Sequence, residues 1–340
     1  MNNGNSPQFS TDFSREFSLN FPIIMAPMFL VSNHAMIVSA MRSGIMGVFP
    51  SLNYRNNEEL EKAIAALAEQ RIREQHKGNF GVNLIVQQTN PFFKKHLEIC
   101  EKHKVPFYIT SLGNPRPVID VAQSTGAKVY SDVTNLLHAE KCAREGCHGF
   151  IAVGQGAGGH AGPHPLSVLI PQLKSEFPHI PVIAAGGMAT GAGLLSTAAL
   201  GASGFSIGTR YIASAEATVS NEYKNAIVNA GMDDIVMTER LSGTPCNIIN
   251  TPYAKKLGYK QNFFEKFLSN NKRTKKLFKT WVQYSGMKKL YASVVPGSYD
   301  NLWTAGKSAS LVKNILPCEE ITLELQREFY EAMESLKGKF

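Results

Sequence analysis

The stretch GQGAGGHAGPHP, residues 154–165, sets His160 and His164 among five glycines in twelve positions. An imidazole titrates near neutrality, so it can move a proton or ligate a metal. Glycine costs backbone entropy on folding, so a cluster implies a chain that turns sharply or approaches something closely. Three readings fit: a surface loop, a metal site using His160 and His164, or a cofactor bed with one catalytic imidazole standing in it. The two histidines have helical spacing, but the glycine and proline around them oppose a helix, which weakens the metal reading. Two further glycine-rich stretches follow, AAGGMATG (184–191) and SIGTR (206–210). Paired glycines let an oxygen-rich ligand reach backbone N–H groups, Thr190 is placed to cap a helix, and Thr209 and Arg210 add a hydroxyl and a cation. That is phosphate-binding chemistry. Asp132, near the end of KVYSDV, is a further candidate, either as a catalytic carboxylate or as a group that orients a neighbour.

These residues sit at the ends of short apolar runs: 22–28, 45–51, 80–86, 106–113, 128–133, 149–154, 181–187 and 204–209. The runs are rich in Val, Ile and Phe and mostly do not alternate with polar residues, as expected of strands buried on both faces of a parallel sheet. Helical patterns fill the gaps. NHAMIVSAMRSG (33–44) begins at an asparagine and ends at glycine, and the pattern over 56–75 has acids first and bases last, which suits the helix dipole. Eight strands recurring about every 26 residues predict an α/β fold, a (β/α)8 barrel, over a doubly wound sheet. The rhythm breaks after the eighth run. The expected organisation is a barrel from 1–211 and 301–340, with 212–300 inserted after strand eight as a mainly helical cap and LSGTPCNIINTPYAKKLG as a loop within it. In such barrels the active site lies at the C-terminal ends of the strands, and a phosphate commonly sits after strands seven and eight. AAGGMATG and SIGTR occupy those two positions.

The chain has 340 residues, 44% hydrophobic and 18% charged, an ordinary globular composition. Its polar start lacks the pattern of a secretory signal, and no apolar run approaches membrane-spanning length, so a cytoplasmic protein is expected. The five cysteines (Cys100, Cys142, Cys147, Cys246 and Cys318) show no metal-type spacing and read as thiols rather than disulfides. Residues 251–290 hold eleven Lys and Arg against one acid, Glu265, a local charge of +10 in a chain of net charge +8. This reads as a solvated helical face, with a landing site for an anionic substrate, cofactor or carrier as the alternative. Few aromatics interleave with the bases, which argues against nucleic acid. The expected partner is a small molecule, with no nucleic acid or membrane, and the chain is expected to be a monomer or homodimer.

The ordered set GVNL (81–84), GAGGHAG (156–162), AAGGMATG (184–191) and SIGT (206–209), with IMAPM near the start and LWTAGKSASLV near the end, resembles the nitronate monooxygenase family. That family includes FMN-dependent enoyl-acyl-carrier-protein reductases and NAD(P)H:quinone reductases. The resemblance implies a barrel holding non-covalent FMN. It places Met25, Ala26, Pro27 and Met28 beside the flavin ring, Asn83 in a hydrogen bond to it, and Gly158 and Gly159 close against it. It places Gly186, Gly187, Ser206, Gly208 and Thr209 at the phosphate, and makes His160 the catalytic histidine. The activity implied is oxidation of nitronates or nitroalkanes with O2 to carbonyl compounds and nitrite, with His160 as base. The alternative is an NAD(P)H-dependent FMN reductase acting on a quinone or an enoyl thioester. Two positions depart from the family: Val153 stands where glutamine is usual, and Gly156 where glutamate is usual. Val153 cannot hydrogen-bond through its side chain, and Gly156 brings no carboxylate.

Overall fold

The computed structural model describes residues 9–239, 244–260 and 302–339. Eight parallel strands close into a barrel: β1 (Ile23–Met25), β2 (Met46–Pro50), β3 (Asn79–Ile85), β4 (Phe107–Ser111), β5 (Lys128–Val133), β6 (Gly149–Val153), β8 (Val182–Ala185) and β9 (Gly204–Ile207). Closure is by β9 against β1, with Ile23 opposite Phe205 and Met25 opposite Ile207. All eight apolar runs are therefore strands, and the α/β barrel expected from their spacing is the observed fold.

Side chains alternate across each strand, as in any barrel. Ile24, Met46, Val48, Phe107, Ile109, Tyr130, Ile151 and Ile183 form the inner cluster. Their neighbours Ile23, Met25, Phe80, Val82, Val129, Phe150 and Val182 pack outward against the helices. A short helix, α1 (Asp12–Glu16), precedes the barrel. Phe13 lies 5.7 Å from the Tyr130 ring, and Phe17 lies 5.2 Å from the Phe107 ring. These aromatics pack into the inner cluster at the N-terminal ends of the strands.

The helices start where short polar side chains satisfy their first amides. Asn33 accepts from the Met36 amide and begins α2 (His34–Arg42), and Asn56 begins α3 (Asn57–Arg73). The outer layer continues with α4 (Phe93–Lys102), α5 (Arg116–Thr125), α6 (Leu136–Glu145), α7 (Leu166–Glu176) and α8 (Gly191–Ala199). The C-terminal helix, Cys318–Lys337, packs against α8 and α2 and completes the helical ring. Its Phe329 packs against Phe9 and edge-on against Phe21, with ring centres 4.8 and 5.2 Å apart.

Between β9 and that helix the described residues hold α9 (Thr209–Ile212), α10 (Asn221–Val228), β10 (Ile235–Thr238), β11 (Cys246–Ile249) and α11 (Pro252–Leu257). The stretch read as a loop thus carries a strand and a helix, and the segment expected to be mainly helical contributes two strands. Both strands belong to a small antiparallel sheet of order β10-β11-β7, where β7 is Gly159–His160. The reason is non-local: β11 pairs with a two-residue strand from the loop after β6, and no local pattern announces that. Most of the basic stretch 251–290 lies outside the described residues, as does the remainder of the expected cap. All five cysteines are buried, and no disulfide joins them. Among the described residues no helix is long and apolar enough to cross a membrane.

Candidate active site

The open end of the barrel brings together the loops after β1, β3, β4, β5, β6, β8 and β9. Inward alternation puts Asn83 on β3, Ser111 on β4 and Asp132 on β5 at the top of the lumen. They form a continuous chain. Asn83 Nδ2 donates to the Ile109 carbonyl at 3.1 Å and to Ser111 Oγ at 2.8 Å. Ser111 Oγ donates to Asp132 Oδ2 at 2.5 Å. The Asn83 amide is buried, and its Oδ1 accepts no hydrogen bond among the described residues. Burial pushes the Asp132 carboxyl up to about 6, against the opposing pull of the Ser111 hydroxyl. A carboxyl in that range changes charge near neutral pH.

The opposite side of the mouth is built differently. Its inward positions on β6, β8 and β9 are Val153, Ala185 and the buried Ser206, and most of the surface there is backbone. Gly186 and Gly187 have φ of +100° and +82°, a left-handed conformation that side chains resist. A Cβ on Gly186 would stand 2.5 Å from the Ala157 amide nitrogen. One on Gly156 would meet the Gly187 Cα at 2.9 Å, one on Gly158 the Gly306 nitrogen at 2.7 Å, and one on Gly162 would collide with the Val153 carbonyl oxygen. The glycines expected to make room for a ligand therefore make room first for each other. Three loops, 154–162, 186–187 and 305–306, stack backbone against backbone. Open space remains beside Gly159 (φ +66°) and, beyond 3.8 Å, beside Gly187.

Beside that stack lie three backbone amides, those of Gly187, Gly208 and Thr209, that donate to no backbone carbonyl among the described residues. Gly208 and Thr209 open α9, and its first-turn amides carry partial positive charge. The Thr209 hydroxyl accepts from the Gly306 amide at 2.9 Å, which ties this group of amides to the glycine stack. The neighbouring α8 is not part of the group. Thr190 caps α8 as expected, and the Gly191 amide donates to Glu328 Oε2 at 2.7 Å. Arg210, read from the sequence as a cation near the phosphate, is also turned away. It is buried, and its guanidinium donates to the Asn314 carbonyl at 3.1 Å, to Asn314 Oδ1 at 2.6 Å and to Glu324 at 3.3 Å. Arg210 thus anchors the returning chain and is not at the site.

His160 is exposed on β7, opposite Cys246 of β11. A buried amide holds this loop: Asn247 Nδ2 donates to the Gln155 carbonyl at 2.9 Å and the Ala157 carbonyl at 2.8 Å. Sequence reasoning missed Asn247, although a lone amide inside the apolar run CNII is a visible signal. His164 is exposed, and its carbonyl accepts from the Gln155 amide at 2.8 Å. Of the stretch 25–28, Met25 is buried on the outer face of β1, so only its backbone reaches the mouth. Ala26, Pro27 and Met28 are half-buried beyond the strand end, and Met28 Sδ lies 3.5 Å from where a Gly208 Cβ would stand.

The residues present fit a planar ring with a phosphate tail: a polar acceptor at Asn83, open backbone at Gly159 and Gly187, and unused amides at Gly187, Gly208 and Thr209. A family model described as nitronate monooxygenase matches residues 68–328. A probable nitronate monooxygenase of Staphylococcus aureus (strain JH9) is 25% identical over 86% of this chain and 90% of its own length. A hydroxy-methyl-oxo-octahydroindene-carboxyl-CoA dehydrogenase of Mycobacterium tuberculosis is 27% identical over 73% of this chain and 68% of its own. Among solved structures, FabK from Thermotoga maritima is similar with TM-score 0.83 and 29% identity, over 98% of this chain and 100% of that one. Nitroalkane oxidase from Streptomyces ansochromogenes shares the fold with TM-score 0.76 at 19% identity, over 95% of this chain and 99% of its own.

Proposed function

The chain belongs to the nitronate monooxygenase family of oxidoreductases, and from that premise we propose that it holds FMN in the barrel mouth and oxidises nitronates or nitroalkanes with O2 to carbonyl compounds and nitrite. The observation that carries the reading is the placement of His160. Strand pairing with Cys246 fixes its backbone, one residue beyond the open backbone of Gly159, which supports a role beside a ligand lying on that loop. FMN, when bound, supplies the electron acceptor. The amides of Gly187, Gly208 and Thr209 would hold its phosphate, and Asn83 Oδ1 would accept from a ring N–H. His160 takes the α-proton of a neutral nitroalkane, whose carbon is acidified by the nitro group; a preformed nitronate needs no such step. The substrate is a small molecule.

A second reading is an NAD(P)H-dependent reductase acting on an enoyl thioester or a quinone. The likeness to FabK over 98% of the chain favours it, as does the CoA dehydrogenase among the relatives. Two measurements test both. The purified protein should be yellow and release FMN, not FAD, on heating; a colourless protein that takes up no FMN overturns the flavin reading. Nitronate with O2 should then yield nitrite. Rapid anaerobic bleaching of the flavin by NADH or NADPH, without nitrite formation in the first assay, moves the assignment to the reductase.

A further inference from the structure

We propose that Asp132 and Ser111 are positioning residues, which hold the Asn83 carboxamide in a single orientation with Oδ1 presented to the barrel mouth. The inference rests on the FMN reading for what Oδ1 meets, but the chain of contacts is this protein's own. Both N–H bonds of the Asn83 amide are committed inward, to the Ile109 carbonyl and to Ser111 Oγ. A carbonyl can only accept, so flipping the amide would set two acceptors against each other. Ser111 alone could tolerate a flip, because a hydroxyl donates as readily as it accepts. Asp132 removes that freedom. Its Oδ2 accepts the hydrogen bond of the Ser111 hydroxyl at 2.5 Å, leaving the oxygen of Ser111 only lone pairs to offer Asn83.

The direction of the chain is thus set at both ends, Asn83 to Ser111 to Asp132, across three neighbouring strands. Lateral register brings the three together: β3 pairs with β4 and β4 with β5, with Asn83 opposite Ile109 and Thr110 opposite Ser131. The outward hydroxyls of those same strands, Thr110 and Ser131, bond each other at 2.8 Å and do not compete for the inward chain. Without Asp132, Ser111 could donate to a turned Asn83, and only the Ile109 carbonyl would still oppose the flip.

The test separates an acceptor from a charge. The full-length apo-protein is titrated with FMN, following quenching of flavin fluorescence, and the visible spectrum of the bound flavin is recorded. The variants are Asp132→Asn, Asp132→Leu and Ser111→Ala. Asparagine keeps an acceptor oxygen for Ser111, so Asp132→Asn should bind FMN within about threefold of wild type with an unchanged spectrum. Asp132→Leu and Ser111→Ala should each weaken binding roughly tenfold, the loss of one hydrogen bond, and shift the flavin bands. Should Asp132→Leu not fold, Ser111→Ala carries the same arm. Wild-type affinity and spectrum in Ser111→Ala, or equal losses in the Asn and Leu variants, overturn the proposal. If wild type itself takes up no FMN, the flavin reading falls and this inference with it.

Discussion

The two sides of the barrel mouth are made of different materials. On β3, β4 and β5 the polar groups are side chains: one amide, one hydroxyl and one carboxyl in sequence. On β6, β8 and β9 it is backbone, with glycine loops stacked so closely that several positions have no room for a methyl group. Side chains can grade an interaction, because each can be shortened or neutralised on its own. Backbone amides present the same donors whatever the neighbouring side chain, but only while every Cβ stays out of the way. The first side suits a ring edge whose electronics are to be tuned, and the second suits an anion that only has to be held.

The largest effect expected from separating these roles is at His160, which stands on β7 in the loop of the backbone side. His160→Ala should lower turnover about 10²- to 10⁴-fold while FMN stays bound, since the cradle amides and Asn83 are untouched. A neutral nitroalkane should suffer more than a preformed nitronate. Equal wild-type rates on both would move the acid–base role across the mouth, to Asp132.

Next in size is a methyl group in the glycine stack. Gly186→Ala combines a left-handed φ with a Cβ 2.5 Å from the Ala157 nitrogen. It should cost about 4 kcal/mol, from strain plus overpacking. Gly159→Ala has a similar φ but open space, so it should cost only about 1–2 kcal/mol. Denaturant unfolding of the two variants side by side checks this. Equal losses would mean that backbone strain alone, and not the contact between loops, demands glycine here.

Arg210 tests the boundary of the cradle. Arg210→Met removes the bonds to Asn314 and Glu324 and should destabilise the protein by about 2–3 kcal/mol. FMN affinity should not change. A large loss of FMN affinity at full stability would restore Arg210 to the phosphate.

The two sides were also unequally legible in the sequence. The strands could be read because both faces of each are covered, which makes the runs continuous and apolar. The glycine loops stood out by composition, yet their reason was half hidden. Gly156, Gly158 and Gly162 are required by other stretches of the same chain, and residues 305–306 lie far away in sequence. Asn83, Ser111 and Asp132 were visible as polar residues at strand ends, but their joining into one chain depends on lateral register, which one strand does not reveal. Arg210 was misread because its helix turns it toward Asn314. Asn247 and the sheet that carries His160 depend on pairing across more than eighty residues, which local pattern does not encode.

The smallest expected effect is a pH dependence confined to the side-chain side. The folded Asp132 carboxyl is pushed up to about 6 by burial, whereas in the unfolded chain an aspartate titrates near ~3.9. Between those values the folded state holds the proton and the unfolded state does not. Stability from this group is therefore complete at low pH, falls as pH rises from about 4 to about 6, and is level above that. A shift of this size corresponds to at most about 3 kcal/mol, and because Asp132 is only half-buried, about 1–2 kcal/mol is the realistic figure. Asp132→Asn removes the titration. In the apo-protein it should therefore be more stable than wild type by about 1–2 kcal/mol at pH 7.5 and nearly equal to it at pH 4. Gly186, Gly187 and Gly208 carry nothing that titrates, so Gly186→Ala should show the same loss at both pH values. Urea unfolding of both variants at pH 4 and pH 7.5 gives the comparison directly. A gain for Asp132→Asn that is the same at both pH values would mean that its carboxyl is not strained by burial. A pH-dependent loss in Gly186→Ala would mean that the two sides are coupled rather than separate.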